Sequence, residues 1–240
     1  MGALLRADFT TQWRNRRSVV LILLIPVAIL LSWKGLVGKL GGAFVLSNCI
    51  TIGLNAIGLM GYSNSIARDR DKGIFQRLRV APLNAGSIMM SRLTVQLAMI
   101  VLLTLVVFLA GARFDGIYLS TAGYLLSFAM AIAGGAVYLG LGQAIVGLIK
   151  NPETVNAVTR LVYFLFIMVG MFAELPGALS KSIGDVAKWS PYGTVKHIVA
   201  AGMEPHTWNQ QSTIALLVTV GYAVVFAGVG IKNFKWTSKN

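Results

Sequence analysis

The side chains that could carry acid–base or metal chemistry are few in this sequence, and they lie outside its apolar stretches or at their ends. They are eight carboxylates and two histidines: Asp8, Asp69, Asp71, Asp115, Glu153, Glu174, Asp185, Glu204, His197 and His206. Catalysis or proton coupling inside a membrane needs such groups within a span, for example as paired aspartates or an H-E-x-x-H helix. The histidines have no cluster of other ligands beside them, so we expect no metal site. The pattern disfavours a membrane enzyme and makes a proton-coupled carrier hard to build.

A phosphate-binding loop is also missing from the sequence. The string nearest to G-x-x-x-x-G-K-[ST] is GLVGKL at 35–40, and its spacing is wrong. We therefore expect this chain to bind no cofactor and not to hydrolyse ATP; if it carries out active transport, the energy must come from another chain. The net charge of +13 is scattered along short loops, which fits membrane topology and anionic lipid headgroups better than nucleic acid.

The composition is that of an integral membrane protein, with 56% hydrophobic residues and a mean hydropathy of +0.72. A bilayer core about 30 Å thick needs about 20 helical residues for each crossing. Six stretches meet this length: 18–38, 43–65, 88–111, 119–149, 154–173 and 211–231. The fourth stretch is too long for one crossing, so we expect an interfacial approach, a tilt, or a kink near Gly134 and Gly135.

The distribution of charge predicts the orientation of these spans. With both termini on one side, that side holds 15 of the 21 basic residues, so the positive-inside rule places both termini in the cytoplasm. Leu5, Phe9 and Trp13 recur every four residues ahead of the first span. This spacing predicts an amphipathic interfacial helix over 1–17, with a frayed terminus as the alternative.

A charged island interrupts the apolar pattern between the second and third spans, where residues 65–83 read SIARDRDKGIFQRLRVAPL. Its apolar side chains share one face of a helical wheel: Ala67, Ile74, Phe75 and Leu78. The spacing predicts an amphipathic helix over 66–82, too polar to span, which Gly73 interrupts and Pro82 ends. The alternative is an ordinary solvated loop whose charges only enforce topology.

The island resembles the cytoplasmic segment of type-2 ABC export permeases, which reads A-R-E-R-E-x-G-T-hydrophobic-E-x-L-x-x-x-P-hydrophobic. The matching residues are Asp69, Asp71, Gly73, Leu78 and Pro82. Ile74 replaces the usual threonine of this pattern, and Gln76 replaces the usual glutamate of its second half.

A second stretch resembles the same family. Residues 169–202 are similar to its S-G-x-x-x-P-x-x-x-L-P pattern and the proline-bearing stretch that follows, with Val169 in place of the serine. The residues that carry this match are Leu175, Pro176, Ser190 and Pro191.

The resemblance implies an all-α membrane protein of six transmembrane helices with an N-terminal interfacial helix, a cytoplasmic coupling helix and an outer re-entrant helical segment. The permease domain would cover 18–240, with the coupling helix at 66–82 and the re-entrant segment, or a simple outer loop, at 174–207. Two copies would pair as a homodimer in the bacterial plasma (inner) membrane. Two separate ATP-binding cassette ATPase subunits would dock beneath them, and substrate would leave through the dimer interface.

The resemblance also implies roles for particular residues. Those expected to couple the permease to the ATPase are Asp69, Asp71, Gly73, Ile74, Phe75, Leu78 and Pro82. The apolar face of the coupling helix would sit against the permease or in a cleft of the ATPase. The expected outer gate includes Glu174, Pro176 and Pro191.

Polar residues within the spans are candidates for a substrate path: Asn48, Thr51, Asn55, Gln143 and Tyr163. Interhelical hydrogen bonding and close packing are the alternative role for each of them. Because no charged residue is expected deep within a span, we favour a hydrophobic small molecule, drug or lipid-linked compound as the exported substrate. The competing hypothesis is a self-contained secondary carrier or channel whose island serves only topology.

Overall fold

The structure is a computed structural model that describes residues 2–14, 16–75, 85–172 and 181–234. Its helices are α1 (Gly2–Arg14), α2 (Arg16–Ser32), α3 (Lys34–Leu40), α4 (Gly42–Asp71), α5 (Ala85–Asp115), α6 (Thr121–Leu148), α7 (Pro152–Phe172), α8 (Lys181–Trp189), α9 (Pro191–Met203) and α10 (Gln210–Asn233). A 3₁₀ turn over Pro205–Thr207 joins the last two helices. No β-strand occurs in these ranges, so the prediction of an all-α protein is confirmed for the residues described.

Five of the described helices are long and apolar enough to cross a bilayer: α4, α5, α6, α7 and α10. A sixth crossing results if α1 and α2, which meet at 58°, form one broken span. The predicted first span, 18–38, does not form a single helix, because the chain breaks at Trp33 between α2 and α3. The other five predicted spans each correspond to one of the long helices.

The predicted fourth span forms one continuous helix of 28 residues, α6. Its start is defined by Ser120, whose side chain accepts a hydrogen bond from the Gly123 amide at 3.0 Å. Gly134 and Gly135 lie within this helix and permit close packing. A Cβ at Gly134 would lie 2.5 Å from Val195 Cγ1, and one at Gly135 would lie 2.3 Å from Ile100 Cδ1. Small residues therefore let α6 sit at the centre of the bundle, against α4, α5, α9 and α10.

The middle of α4 is a π-helical stretch over Ala56–Ser63, where the Ser63 hydroxyl donates to the Gly58 carbonyl at 2.8 Å. Here α4 and α6 approach closely, because a Cβ at Gly58 would lie only 2.4 Å from the carbonyl carbon of Tyr138. A Cβ at Gly142 of α6 would likewise lie 2.6 Å from the Gly58 carbonyl oxygen. The two glycines set the spacing between the second and fourth predicted spans.

Replacing Gly58 by Ala is expected to lower the free energy of unfolding by about 2 kcal/mol, because the added methyl would overlap backbone atoms that cannot rotate away. The control is Gly61→Ala in the same π-helical stretch, where the nearest heavy atom to the added Cβ would be 3.6 Å away. Thermal unfolding of both purified variants measures the difference. Equal unfolding midpoints for the two variants would contradict the close approach at Gly58.

Candidate functional site

Arg70 joins the end of α4 to the end of α6. Its Nη1 donates to the Val146 carbonyl at 2.7 Å, and its Nη2 donates to the carbonyls of Ile149 and Lys150 at 2.7 and 2.8 Å. The last carbonyls of a helix have no partner within the helix and carry partial negative charge, so a guanidinium is well suited to them. Only 1% of Arg70 is exposed. We call this arrangement the Arg70 clamp; it makes the two helix ends one unit.

Arg92 of α5 joins three helices. Its Nε lies 3.3 Å from Asp8 Oδ1 of α1, and its Nη1 donates to Asp69 Oδ2 of α4. The other carboxylate oxygen of Asp8 accepts a hydrogen bond from Ser91 at 2.6 Å. The paired side chains are only 10–19% exposed, so solvent screens them less than surface pairs. We call this cluster the Arg92 node, and we call the end of the bundle that holds it and the Arg70 clamp the charged end.

Of the helix predicted over 66–82, the structure describes residues 66–75, and these are interrupted at Gly73 as predicted. Residues 66–71 are the last turns of α4, which ends where the Lys72 amide donates to Arg68 and the Gly73 amide donates to Arg70, at 3.0 and 3.1 Å. Gly73 has φ of 67°, a left-handed conformation that other residues adopt only at a cost. The left-handed glycine ends α4, and helical geometry resumes at Ile74.

The predicted coupling residues fall into two groups within this turn. Asp71 is exposed, as are Arg68 and Lys72, whereas Asp69 is held by Arg92. Phe75 is fully buried; its ring meets Phe234 edge-on at 5.9 Å. Gly73 and Ile74 are intermediate in exposure, and Leu78 and Pro82 lie outside the described residues.

Phe75 therefore faces the interior of the helix bundle. The Arg92 guanidinium also lies over its ring, 5.7 Å from the centroid. The sequence analysis allowed two locations for the apolar face of the island, against the helices of this chain or in a cleft of an ATPase. In the structure Phe75 packs against helices of this chain. Among the described residues of the turn, the most exposed side chains are the charged ones of Arg68, Asp71 and Lys72.

Sequence reasoning missed Arg70, Arg92 and Asp8 as site residues. One signal could have found Arg70: it follows the buried Ile66 by four residues, so both share the inward face of α4. Arg92 is the only charged residue in the stretch SIMMSRLTVQL. A charge in such apolar surroundings indicates a residue that is paired with another group in the fold. The partners themselves come from distant parts of the chain and leave no local pattern.

Three of the predicted path residues lie on the inward side of α4 and are at most 1% exposed. Asn48 accepts a hydrogen bond from the Tyr192 hydroxyl of α9 at 3.2 Å, and Asn55 donates to the Tyr163 carbonyl of α7 at 3.4 Å. Thr51 donates to the carbonyl of Ser47 within α4. In one copy of the chain these groups form a buried polar seam between α4, α7 and α9.

Gln143, the remaining path residue, faces another direction. Its Oε1 accepts a hydrogen bond from the Tyr62 hydroxyl at 2.7 Å, and both residues line a groove between α5, α6 and α10. Of the predicted path residues, the structure thus joins Asn55 to the backbone of Tyr163, whereas Asn48 bonds to Tyr192 and Gln143 to Tyr62.

At the opposite end of the bundle, α8 and α9 have 9 and 13 residues, too short to cross a bilayer. Pro191 is the first residue of α9, which Ser190 caps by accepting from the Gly193 amide at 3.1 Å. The Lys196 ammonium lies 5.1 Å from the centre of the Phe44 ring. Glu174 and Pro176, the other predicted gate residues, lie outside the described residues.

Comparisons of the sequence with known proteins show the family of this chain of long apolar helices. The family model for the ABC-2 type transporter matches residues 1–203. The chain belongs to this family and is a multi-pass membrane transport subunit. It is also 24% identical over 232 residues, 92% of this chain and 91% of the relative, to a protein of Bacillus subtilis (strain 168) described as "Putative transport permease YvfS".

Proposed function

We propose that the chain is the permease subunit of an ATP-driven exporter in a bacterial plasma membrane, with both termini in the cytoplasm. Two copies pair, and two separate ATPase subunits, which bind ATP and Mg²⁺, dock at the charged end. The observation that carries this proposal is the way the exposed turn at Gly73 is tied to the bundle. The Arg70 clamp joins it to α6, and the Arg92 node joins it to α5 and α1.

A turn that receives force from an ATPase must be attached firmly to the helices that it moves. A force applied at the turn acts on helix ends that are held by charge-assisted hydrogen bonds, so the helices move as bodies and the turn does not simply deform. A loop whose charges served only topology would need no buried arginine on the end of another helix. The geometry therefore favours the coupled permease over a self-contained carrier or channel.

The docking surface for the ATPase is then the exposed charged face of the turn, formed by Arg68, Asp71 and Lys72. The buried Phe75 connects this face to the bundle interior. On this proposal the substrate path runs between the two permease copies beside the buried polar seam, and the segment from 174 to 207 forms its outer gate. A hydrophobic small molecule, drug or lipid-linked compound fits a seam whose polar groups are neutral.

The test of docking is copurification of tagged permease with a coexpressed ATP-binding cassette ATPase subunit from the same genome. Asp71→Lys is expected to reduce the retained ATPase about fivefold, because an exposed ion pair contributes up to about 1 kcal/mol. Asp185→Lys is the control, since it makes the same charge change at an exposed position of the opposite end. Equal retention by the two variants would contradict docking at the turn.

A further inference from the structure

A groove with a volume of about 750 Å³ opens on the side of the bundle between α5, α6 and α10. Its walls are apolar and include Leu97 of α5, Ile132 of α6 and Val224 of α10, which are 38%, 39% and 67% exposed. Phe234 lines the groove at the charged end. The groove lies on a different side of α6 from the buried polar seam and is open to the surroundings of the bundle.

Close packing of small residues forms the floor of the groove. Ala136, Gly140, Ala223 and Ala227 line it, and a Cβ at Gly140 would lie 3.2 Å from the Ala223 carbonyl oxygen. From Ile132 to Gln143 the groove follows twelve residues of α6, and the eleven steps between them, at about 1.5 Å each, give about 16 Å. This length is about half of a hydrocarbon core about 30 Å thick. The groove therefore has the depth of one leaflet, on the side of the charged end.

Two hydrogen-bonded polar groups interrupt the apolar lining, the Gln143 amide and the Tyr62 hydroxyl. Gln143 is 8% exposed, and its Oε1 is taken by the Tyr62 hydroxyl at 2.7 Å. Within the described part of the chain its amide nitrogen makes no hydrogen bond. A donor left in apolar surroundings without a partner is unfavourable, so the amide favours a ligand that brings an acceptor.

We propose that this groove binds one acyl chain of an anionic glycerophospholipid from the leaflet at the charged end. The chain lies along Ala136 and Val224, and an ester carbonyl accepts a hydrogen bond from the Gln143 amide. The charge of the headgroup is matched by Lys232, which is exposed in the last turn of α10 directly after the groove residue Ile231. The lipid is a bound component distinct from the exported compound, and its binding requires no ATPase.

The test uses purified permease without ATPase, reconstituted in vesicles that contain phosphatidylglycerol with a photoactivatable diazirine in its acyl chain. After illumination, mass spectrometry maps the labelled peptides. Labelling of Leu97, Ile132 and Val224 is expected to exceed that of Leu161 on α7 about fivefold, although Leu161 is 69% exposed. Even labelling of all four side chains would show unselective contact with bulk lipid and overturn the proposal.

Two pairs of variants sharpen the result. Ala136→Phe fills the groove and is expected to lower the labelling about fivefold, whereas Val225→Phe, at an exposed position of α10 outside the groove, leaves it unchanged. Gln143→Leu and Tyr62→Phe both remove the hydrogen bond between these residues, but only the first removes the amide. Labelling is expected to fall more in Gln143→Leu; an equal fall would overturn the role of the amide.

The headgroup preference is tested by competition. Unlabelled phosphatidylglycerol is expected to displace the diazirine lipid at a concentration about fivefold lower than phosphatidylcholine does. Lys232→Gln is expected to remove this difference while labelling of the groove residues persists. Equal competition by the two lipids in the unmodified chain would overturn the anionic preference. Failure of ATPase copurification would not affect any of these results, so the two proposals fail separately.

Discussion

Arg70→Gln is expected to lower the free energy of unfolding by about 3 kcal/mol, since a charged, buried donor to three carbonyls is lost and the shorter amide cannot reach all of them. The ends of α4 and α6 would separate, and the amides that follow Gln143 would exchange with solvent faster. On the proposed function the clamp would transmit motion from the turn to α6, so transport is expected to be lost even where the protein still inserts into the membrane.

Arg68→Gln provides a matched control for this prediction. Arg68 lies two residues earlier on the same helix and is exposed, so its removal changes the charge equally without breaking the clamp. The stability of Arg70→Lys is expected to lie between those of Arg70→Gln and Arg68→Gln, because a single ammonium group lacks the forked guanidinium that reaches separate carbonyls. Thermal unfolding and hydrogen exchange of the three variants measure these differences in stability. The clamp would be refuted if Arg70→Gln and Arg68→Gln unfolded at the same temperature.

Arg92→Leu is expected to have an effect of similar size, about 3 kcal/mol, because it leaves the carboxylates of Asp8 and Asp69 close together without their cation. The loss of these ion pairs should destabilise α1 first, because the Arg92 node attaches α1 to the bundle. Faster hydrogen exchange in α1 together with a lower midpoint of thermal unfolding would show this.

The charge explanation can be separated from simple loss of packing. In the triple variant Asp8→Asn, Asp69→Asn, Arg92→Leu, no charge is left without a partner, so more than half of the lost stability should return. Arg113→Leu, at an exposed position of the same helix, should leave stability nearly unchanged. If the triple variant were no more stable than Arg92→Leu, the packing of the arginine side chain, and not its charge, would hold the helices together.

The long helices were predictable because their signal is local. About 20 consecutive apolar residues have few alternatives to a membrane helix, so five of the predicted spans coincide with helices of the structure. The first span differs because Trp33 and its neighbours form a turn between α2 and α3, and a hydropathy average does not register one such residue. The second predicted span ended at residue 65, whereas α4 continues to Asp71, because the change to charged residues hides the continuity of the helix. The predicted interruption at Gly73 is confirmed, since the left-handed φ of this glycine ends α4 there.

The contacts that make the site were not predictable from one sequence. The Arg70 clamp joins residues 76–80 positions apart, and the bond between Asp8 and Ser91 joins residues 83 positions apart. A pattern can indicate that a charge in an apolar stretch needs a partner, but the partner depends on how the helices are arranged. The same limit applies to Asn55 and Gln143: their polarity within spans was evident, whereas the side of the helix each one faces required the fold.

The Arg70 clamp also sets an order of events during synthesis. Arg70 reaches the membrane surface when the second of the predicted spans is inserted, but its acceptors on Val146, Ile149 and Lys150 are translated at least 76 residues later. At about 5–20 residues per second this delay lasts about 4–15 s. Through that interval the guanidinium must remain at the water interface, where it is solvated. The end of α4 therefore completes its burial only after α6 has been made, and the charged end is assembled late in the synthesis of the chain.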